Sequence, residues 1–362
     1  MQLPLKNSAA AALAIGLALV PVWAQQAGTP TPRLPRATLD VTPASTRVAG
    51  APGSMRVATT ACAASRPLSP ALRQRIVDIA VQEWGFFAYG VVDQTIGESD
   101  DDPPIPRMRG RGRARISPDE GARVAASIAG YWTVTPEGGW IIDRQNERWQ
   151  GDDGMGARWN SPWSAAFISW VMCEAGLGET ATFHRAVAHH RYIDQAIRAR
   201  DAGSRQPAYV AYDGGEAEVV PGDMLCSGRR PAYRTLAERR RQLGEGASTH
   251  CDIVVAVDIE GRRFLTIGGN VRSAVSLKIM PAEWDDRAKR LRPYRPDDDR
   301  IGDNPYRGVR PIFAHLSLRT GPVDADALSI SATVRALACD GTRALPAPLR
   351  NLVSSASPTN AC

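Results

Sequence analysis

Apolar residues recur at helical spacing through the first half of the chain and alternate with polar ones through much of the second. In "SPALRQRIVDIAVQEWGFF", Leu72, Ile76, Ile79 and Val81 join Trp84 in a broad apolar face. Ser69 offers a capping hydroxyl there, and Pro70 suits the first helical position. "DEGARVAASIAGYW" predicts a second helix ending near Gly130. "NSPWSAAFISWV" predicts a third, capped by Ser161 and begun by Pro162, with Trp163, Phe167, Trp170 and Val171 facing the core. "HRAVAHHRYIDQAIRAR" predicts a fourth. "AEVVPGDMLCSG" then reads as strand, tight turn, strand, and "HCDIVVAVDIEGRRFLTIGGNV" as a hairpin turning at Glu260-Gly261. "SAVSLKIM" gives a further strand, and residues 229–246 a basic helical insertion. Helices first and antiparallel strands after is an α+β pattern, with helices packed on an antiparallel sheet.

The ends break this pattern. A basic start at Lys6, the apolar run "AAAALAIGLALVPVWA" and small residues at Val22 and Ala24 read as a secretory signal peptide over residues 1–24. That run is shorter than the ~20 residues needed to span a bilayer, and no later stretch is apolar enough to do so. Residues 25–60, rich in Ala, Thr, Pro and Arg, read as a flexible linker. The folded domain is expected over 61–317, with a C-terminal extension from 318 to 362. Residues 98–120 are an acidic run followed by a basic one, read as a solvated surface loop.

The formal charge is +6, and removing Lys6 with the leader leaves about +5. The cations are almost all arginine; Lys6, Lys278 and Lys289 are the only lysines. No nucleic-acid surface follows from that bias, although anionic envelope polymers would be mildly attracted. Six cysteines in an exported chain imply disulfides and a periplasmic or extracellular location.

The candidate chemistry centres on Ser164, in the first turn of the third predicted helix. Alone it reads as a hydroxyl bonding backbone donors. A nucleophilic serine needs a base within hydrogen-bond reach, a group orienting the base, and donors for the oxyanion. Backbone N–H groups of that first turn would supply the donors. His250, at the start of a strand, is the candidate base. A three-residue hairpin loop, Ile259-Glu260-Gly261, puts His250 opposite Asn270 on one face of the sheet. A two-residue loop turns Asn270 to the other face. Asp252 shares the His250 face in both registers and is the fallback partner. The plainer readings are a strand-end histidine bonded to backbone and an asparagine in a turn. His184, His189 and His190 do not share a helical face and lack further ligands, so no metal or cofactor is expected. Trp159 and Trp163 are candidates for a stacking wall.

Taken together, "PWSAAFISWV", "PGDML", "HCDIVVAV" and "IGGNV" resemble the motif order of the papain-like cell-wall amidases and endopeptidases of the NlpC and CHAP families. The complete set resembles domain-of-unknown-function family 2272 (DUF2272), over roughly residues 70–315. The resemblance implies a papain-like core with Ser164 in the nucleophile's place, usually held by cysteine. It puts His250 in the base's place, Asn270 in the third residue's, and Asp223 in a structural turn. It further implies peptidoglycan, or another envelope polymer, as partner, with Trp159, Trp163 and Gly269 along the cleft. It also sets the Cys226 strand beside the Cys251 strand, hence a Cys226–Cys251 disulfide. A Cys339–Cys362 pair would tie down the tail, leaving Cys62 with Cys173. The function so implied is hydrolysis of a cell-wall amide or peptide bond; the alternative is an inactive relative that binds an envelope component.

Overall fold

A computed structural model of the protein describes residues 29–95, 117–152, 154, 157–296, 309–340, 346–350 and 352. The predicted signal peptide, most of the charged loop and Cys362 lie outside the described residues.

The first three predicted helices form, with shifted ends. Helix α1 (Pro70–Phe86) starts as expected, with the Ser69 hydroxyl accepting from the Leu72 N–H. Helix α2 (Pro118–Trp132) is capped by Ser117. Helix α3 (Gly138–Gln150), whose mean hydropathy is negative, is not among the predicted helices, although Ile141, Ile142, Gln145 and Trp149 fall on its buried side. Helix α4 (Ser164–Ala175) has all twelve residues buried. It begins three residues beyond the expected Ser161 cap, with Trp163 in the cap position and no side-chain cap. The Trp163 indole stacks on Phe87 and packs beside Tyr131, so aromatic packing fixes where the chain enters the helix. Helix α5 (His190–Asp201) is shorter than the sequence pattern suggested, because residues 184–189 form a loop. Only a short helix, α6 (Leu236–Arg240), forms in the basic insertion.

After a small hairpin, β1 (Val48–Ala49) and β2 (Arg56–Val57), the remaining strands build one sheet. They are β3 (Val91–Asp93), β4 (Tyr209–Tyr212), β5 (Met224–Arg230), β6 (Ser248–Asp258), β7 (Arg263–Val271), β8 (Ala274–Asp285), β9 (Arg290–Pro293) and β10 (Ile312–Leu318). The order is β3-β8-β7-β6-β5-β10-β4, with β9 paired to β8. All pairings are antiparallel except β3 with β8. The architecture is therefore mixed α+β.

Strand alternation sorts the side chains onto two faces. Met224, Cys226, Cys251, Ile253, Leu265, Ile267, Leu277 and Ile279 join the main core with the helices. Leu225, Val254, Phe264 and Met280 belong to a second, smaller apolar cluster on the opposite face. Asp223 anchors the start of β5 from within the core. Its carboxylate accepts from Arg73 Nη1 at 2.6 Å and from the Leu318 N–H at 2.9 Å, and lies 2.8 Å from His315 Nε2.

Residues 25–60 differ from the expected linker over their described part. Leu39, Val41, Ala44 and Met55 are buried. Arg47 forms a buried ion pair with Glu174 of α4, and the other Glu174 oxygen accepts from the Thr42 N–H at 3.0 Å. A Cys62–Cys173 disulfide then joins the segment's end to α4. Sparse apolar residues are thus enough when ion pairs and a covalent bond supply the anchoring. The C-terminal extension also packs: α7 (Ala332–Cys339) lies on α1, with the Ala332 N–H donating to Asp78 at 3.2 Å. A last short helix, α8, covers Ala347–Arg350.

Candidate functional site

Near its turn the hairpin has the register of the two-residue count, and beyond a bulge it has that of the three-residue count, which brings His250 into line with Asn270. Asp258 pairs with Arg263 across a four-residue loop, because Arg262 rather than Gly261 takes the left-handed conformation. Asp258 holds that loop, accepting from the Gly261 N–H at 2.8 Å and from Arg263 Nε at 2.6 Å. A bulge between Val254 and Ala256 then slips the register by one residue, and pairing ends at Ile253 with Ile267. A second irregularity, between Gly268 and Val271, takes Asn270 out of the ladder with φ at 56°. Among the described residues no hydrogen bond joins Asn270 to His250. His250 Nε2 instead lies 2.9 Å from Asp252 Oδ1, and Lys278 Nζ donates to Asp252 Oδ2 at 2.6 Å.

The glycine pair of "IGGNV" fits around these groups. A Cβ on Gly268 would fall 1.8 Å from Asp252 Oδ1 and 3.2 Å from His250 Nε2. A Cβ on Gly269 would fall 2.5 Å from Phe167 Cβ of α4. Successive residues point to opposite faces, so α4 packs on one side of β7 while His250 and Asp252 lie on the other. Gly269 therefore accommodates helix packing, which differs from its expected place along a cleft.

Ser164, on the helix side, has a different histidine. Its Oγ lies 2.7 Å from Nε2 of His189, the residue before α5. Ser169 of α4 pins the same loop, accepting from the Ala186 N–H at 3.0 Å and donating to the Ala186 carbonyl at 3.1 Å. His189 Nδ1 accepts from the Cys251 N–H at 3.3 Å and contacts the Tyr192 hydroxyl. The His189 ring lies 5.2 Å from the His250 ring, centroid to centroid. His189 thus bridges α4 and the end of β6, between the serine and His250.

The Cys251 N–H has a fixed direction and can only donate, so His189 Nδ1 presents its lone pair. Burial, with His250 adding to it, holds the His189 pKa well below the usual imidazole value, so the ring is neutral. Its single proton is then on Nε2 and points at Ser164 Oγ. Burial also lowers the His250 pKa. Burial alone would raise the Asp252 pKa, but His250 and Lys278 outweigh it and hold the group as a carboxylate. Burial raises the Tyr192 pKa well above the ordinary phenol value.

The two tryptophans expected to form a stacking wall differ in exposure. Trp163 is buried at 2% exposure, and Trp159 is half-buried, edge-on against Trp149. The most exposed tryptophan among the described residues is Trp140, at 60%, with the Arg144 guanidinium 5.0 Å from its ring centre. His184, His189 and His190 serve separate partners: the His184 N–H donates to Gln195, and His190 Nδ1 meets the Ala247 carbonyl. Cys226 and Cys251, directly opposite on β5 and β6, form a disulfide. For the Cys339–Cys362 pairing, Cys362 lies outside the described residues.

Sequence reasoning missed His189, Tyr192 and Lys278. Two signals were available: Tyr192 one helical turn beyond His189, and Lys278 as one of three lysines in an arginine-rich chain.

No curated protein and no solved structure matches the chain. Residues 121–300 match the model of a family described as "Uncharacterized protein conserved in bacteria (DUF2272)", which supports assigning the segment carrying Ser164, His189, His250 and Asp252 to that family.

Proposed function

We propose that the protein is a catalytically silent relative of the papain-like cell-wall amidases and endopeptidases, retained in an oxidising, exported setting to bind peptidoglycan or another envelope polymer. The observation that carries this reading is the Cys251 N–H donating to His189 Nδ1. It leaves Ser164 as the acceptor of a proton held on Nε2, where a serine nucleophile needs the reverse. Three further features agree. Among the described residues no carboxylate hydrogen-bonds His189, so an imidazolium formed by taking the serine proton would lack a direct partner in a buried site. A base with so depressed a pKa takes up protons weakly at neutral pH. His250, which does have a carboxylate, directs Nε2 at Asp252. The Ser164–His189 contact is then a structural tie between α4 and the sheet, and two disulfides fit an oxidising compartment.

The test incubates purified protein and Ser164→Ala with peptidoglycan, reads released fragments, and follows with pull-down on sacculi. The expected result is no release from either protein and retention of both on sacculi. Release by the wild type that disappears in Ser164→Ala would overturn the silent reading; failure to sediment with sacculi would overturn the binding one. Hydrolysis is the second reading, favoured by the 2.7 Å Ser164–His189 contact with Tyr192 behind the imidazole. It requires substrate to displace the Cys251 N–H from Nδ1, and it predicts thiol-dependent activity in Ser164→Cys.

A further inference from the structure

A groove of about 530 Å³ opens at the free edge of the sheet, remote in sequence from Ser164 and lined by Leu68, Arg200, Arg205, Val210, Tyr212 and Arg319, among others. Its three guanidiniums are not equivalent. Arg200, half-buried at the end of α5, forks onto Glu216, donates to the Ala211 carbonyl at 3.2 Å and lies over the Tyr212 ring at 4.8 Å. Arg319 is pinned to the Ser204 carbonyl. Arg205, on the exposed loop between them, makes no hydrogen bond or ion pair among the described residues. No acidic residue lines the groove, and Glu216 offsets one of the three charges. Two fixed cations, one uncommitted fork and the apolar lining side chains Leu68 and Val210 suit a single ligand chemistry.

We propose that this groove binds an oxyanion carried on a short apolar group, such as the terminal carboxylate of an apolar peptide. The apolar group lies on Leu68 and Val210, and Arg205 closes on the oxyanion in a bidentate contact, with Arg319 supplying the remaining field. The proposal is independent of the reading given to Ser164. Because Arg205 holds nothing else in place, its substitution leaves the fold intact.

The experiment is calorimetric titration of the purified protein at low ionic strength with N-acetyl-leucine, N-acetylleucinamide and hexyl phosphate. N-acetyl-leucine is expected to bind, the uncharged amide is not, and Arg205→Glu is expected to weaken binding by at least about 10-fold with an unchanged thermal midpoint. Hexyl phosphate displacing N-acetyl-leucine would support the same site and identify phosphate as an alternative source of the anion. Equal binding of the amide, no binding of either oxyanion, or full affinity in Arg205→Glu would overturn the proposal.

Discussion

Gly268→Ala is a sharp perturbation of the buried charges on β6. The added Cβ would fall 1.8 Å from Asp252 Oδ1, well inside the range that carbon–oxygen contacts tolerate. Relief needs a carboxylate shift of roughly 1.6 Å to reach an ordinary contact distance. Asp252 cannot make that shift and keep both partners, since His250 Nε2 is 2.9 Å and Lys278 Nζ 2.6 Å away. Breaking a buried charge pair costs about 3–5 kcal/mol. Alanine in a strand interior returns about 0.5–1 kcal/mol relative to glycine. The net expectation is a loss of about 2–4 kcal/mol, read from urea unfolding midpoints at an unchanged m-value. Gly246→Ala, where a new Cβ meets nothing within 4 Å, should stay within about 0.5 kcal/mol of the wild type. The decisive arm repeats Gly268→Ala in an Asp252→Ala background, where most of the penalty should vanish. A Gly268→Ala cost below about 1 kcal/mol, or the same cost in both backgrounds, would refute the argument that Asp252 is what occupies the missing side chain's space.

Gly269→Ala should cost about 1–3 kcal/mol by pushing β7 from α4, and Asp252→Ala should leave that cost unchanged, since the clash is with Phe167. Stability should fall on acidification from about pH 7 to pH 5: burial keeps His189 and His250 neutral when folded, the unfolded chain takes up protons below the ordinary imidazole pKa, and each group contributes up to about 1.4 kcal/mol per pH unit. His189→Asn should flatten this dependence, and an unaltered slope would count against the buried neutral ring. Reduction should cost about 3.5 kcal/mol for Cys226–Cys251, with a sequence separation of 25, and about 5 kcal/mol for Cys62–Cys173, with a separation of 111, measured as separate Cys-to-Ser pairs. Glu174→Gln leaves buried Arg47 without its counter-charge, so limited proteolysis should cut within residues 29–60 far faster than in the wild type; equal cutting rates would show that the pair does not anchor the segment.

What the sequence disclosed follows how local each signal is. Ser69-Pro70 marks a helix start through its own backbone neighbours, and α1 begins there. The Ser161-Pro162 signal is equally local, yet α4 begins at Ser164 because Trp163 stacks on Phe87, a contact no window around residue 161 contains. Helix α3 has few apolar residues, and its buried Ile141, Ile142 and Trp149 share their side with the polar Gln145 and Asn146. The 25–60 segment reads as linker by composition because its anchors are Arg47 and Thr42 on a glutamate over 120 residues away.

The candidate site shows the same limit acting through strand parity. His250 and Asp252 were legible as neighbours, since positions two apart on a strand share a face whatever the hairpin register. Which group they meet on that face was not legible, because Asn270, in line with His250 beyond the bulge, leaves the ladder with φ at 56°. The structure turns His250 away from the helix side and leaves Ser164 to a histidine in a loop whose position Ser169 fixes. On the proposed reading, a residue order resembling that of cysteine hydrolases does not by itself carry a hydrolase geometry. The nucleophile's place and the base's place can both be filled while the proton between serine and imidazole stays on the nitrogen. The proposed reading rests on one backbone N–H, that of Cys251, in a strand tied to its neighbour by the Cys226–Cys251 disulfide. On that reading, loosening the strand end would free His189 Nδ1 from the Cys251 N–H, the step that the hydrolytic reading assigns to substrate. Reduction of the disulfide thus becomes the condition under which a latent serine activity should first be sought.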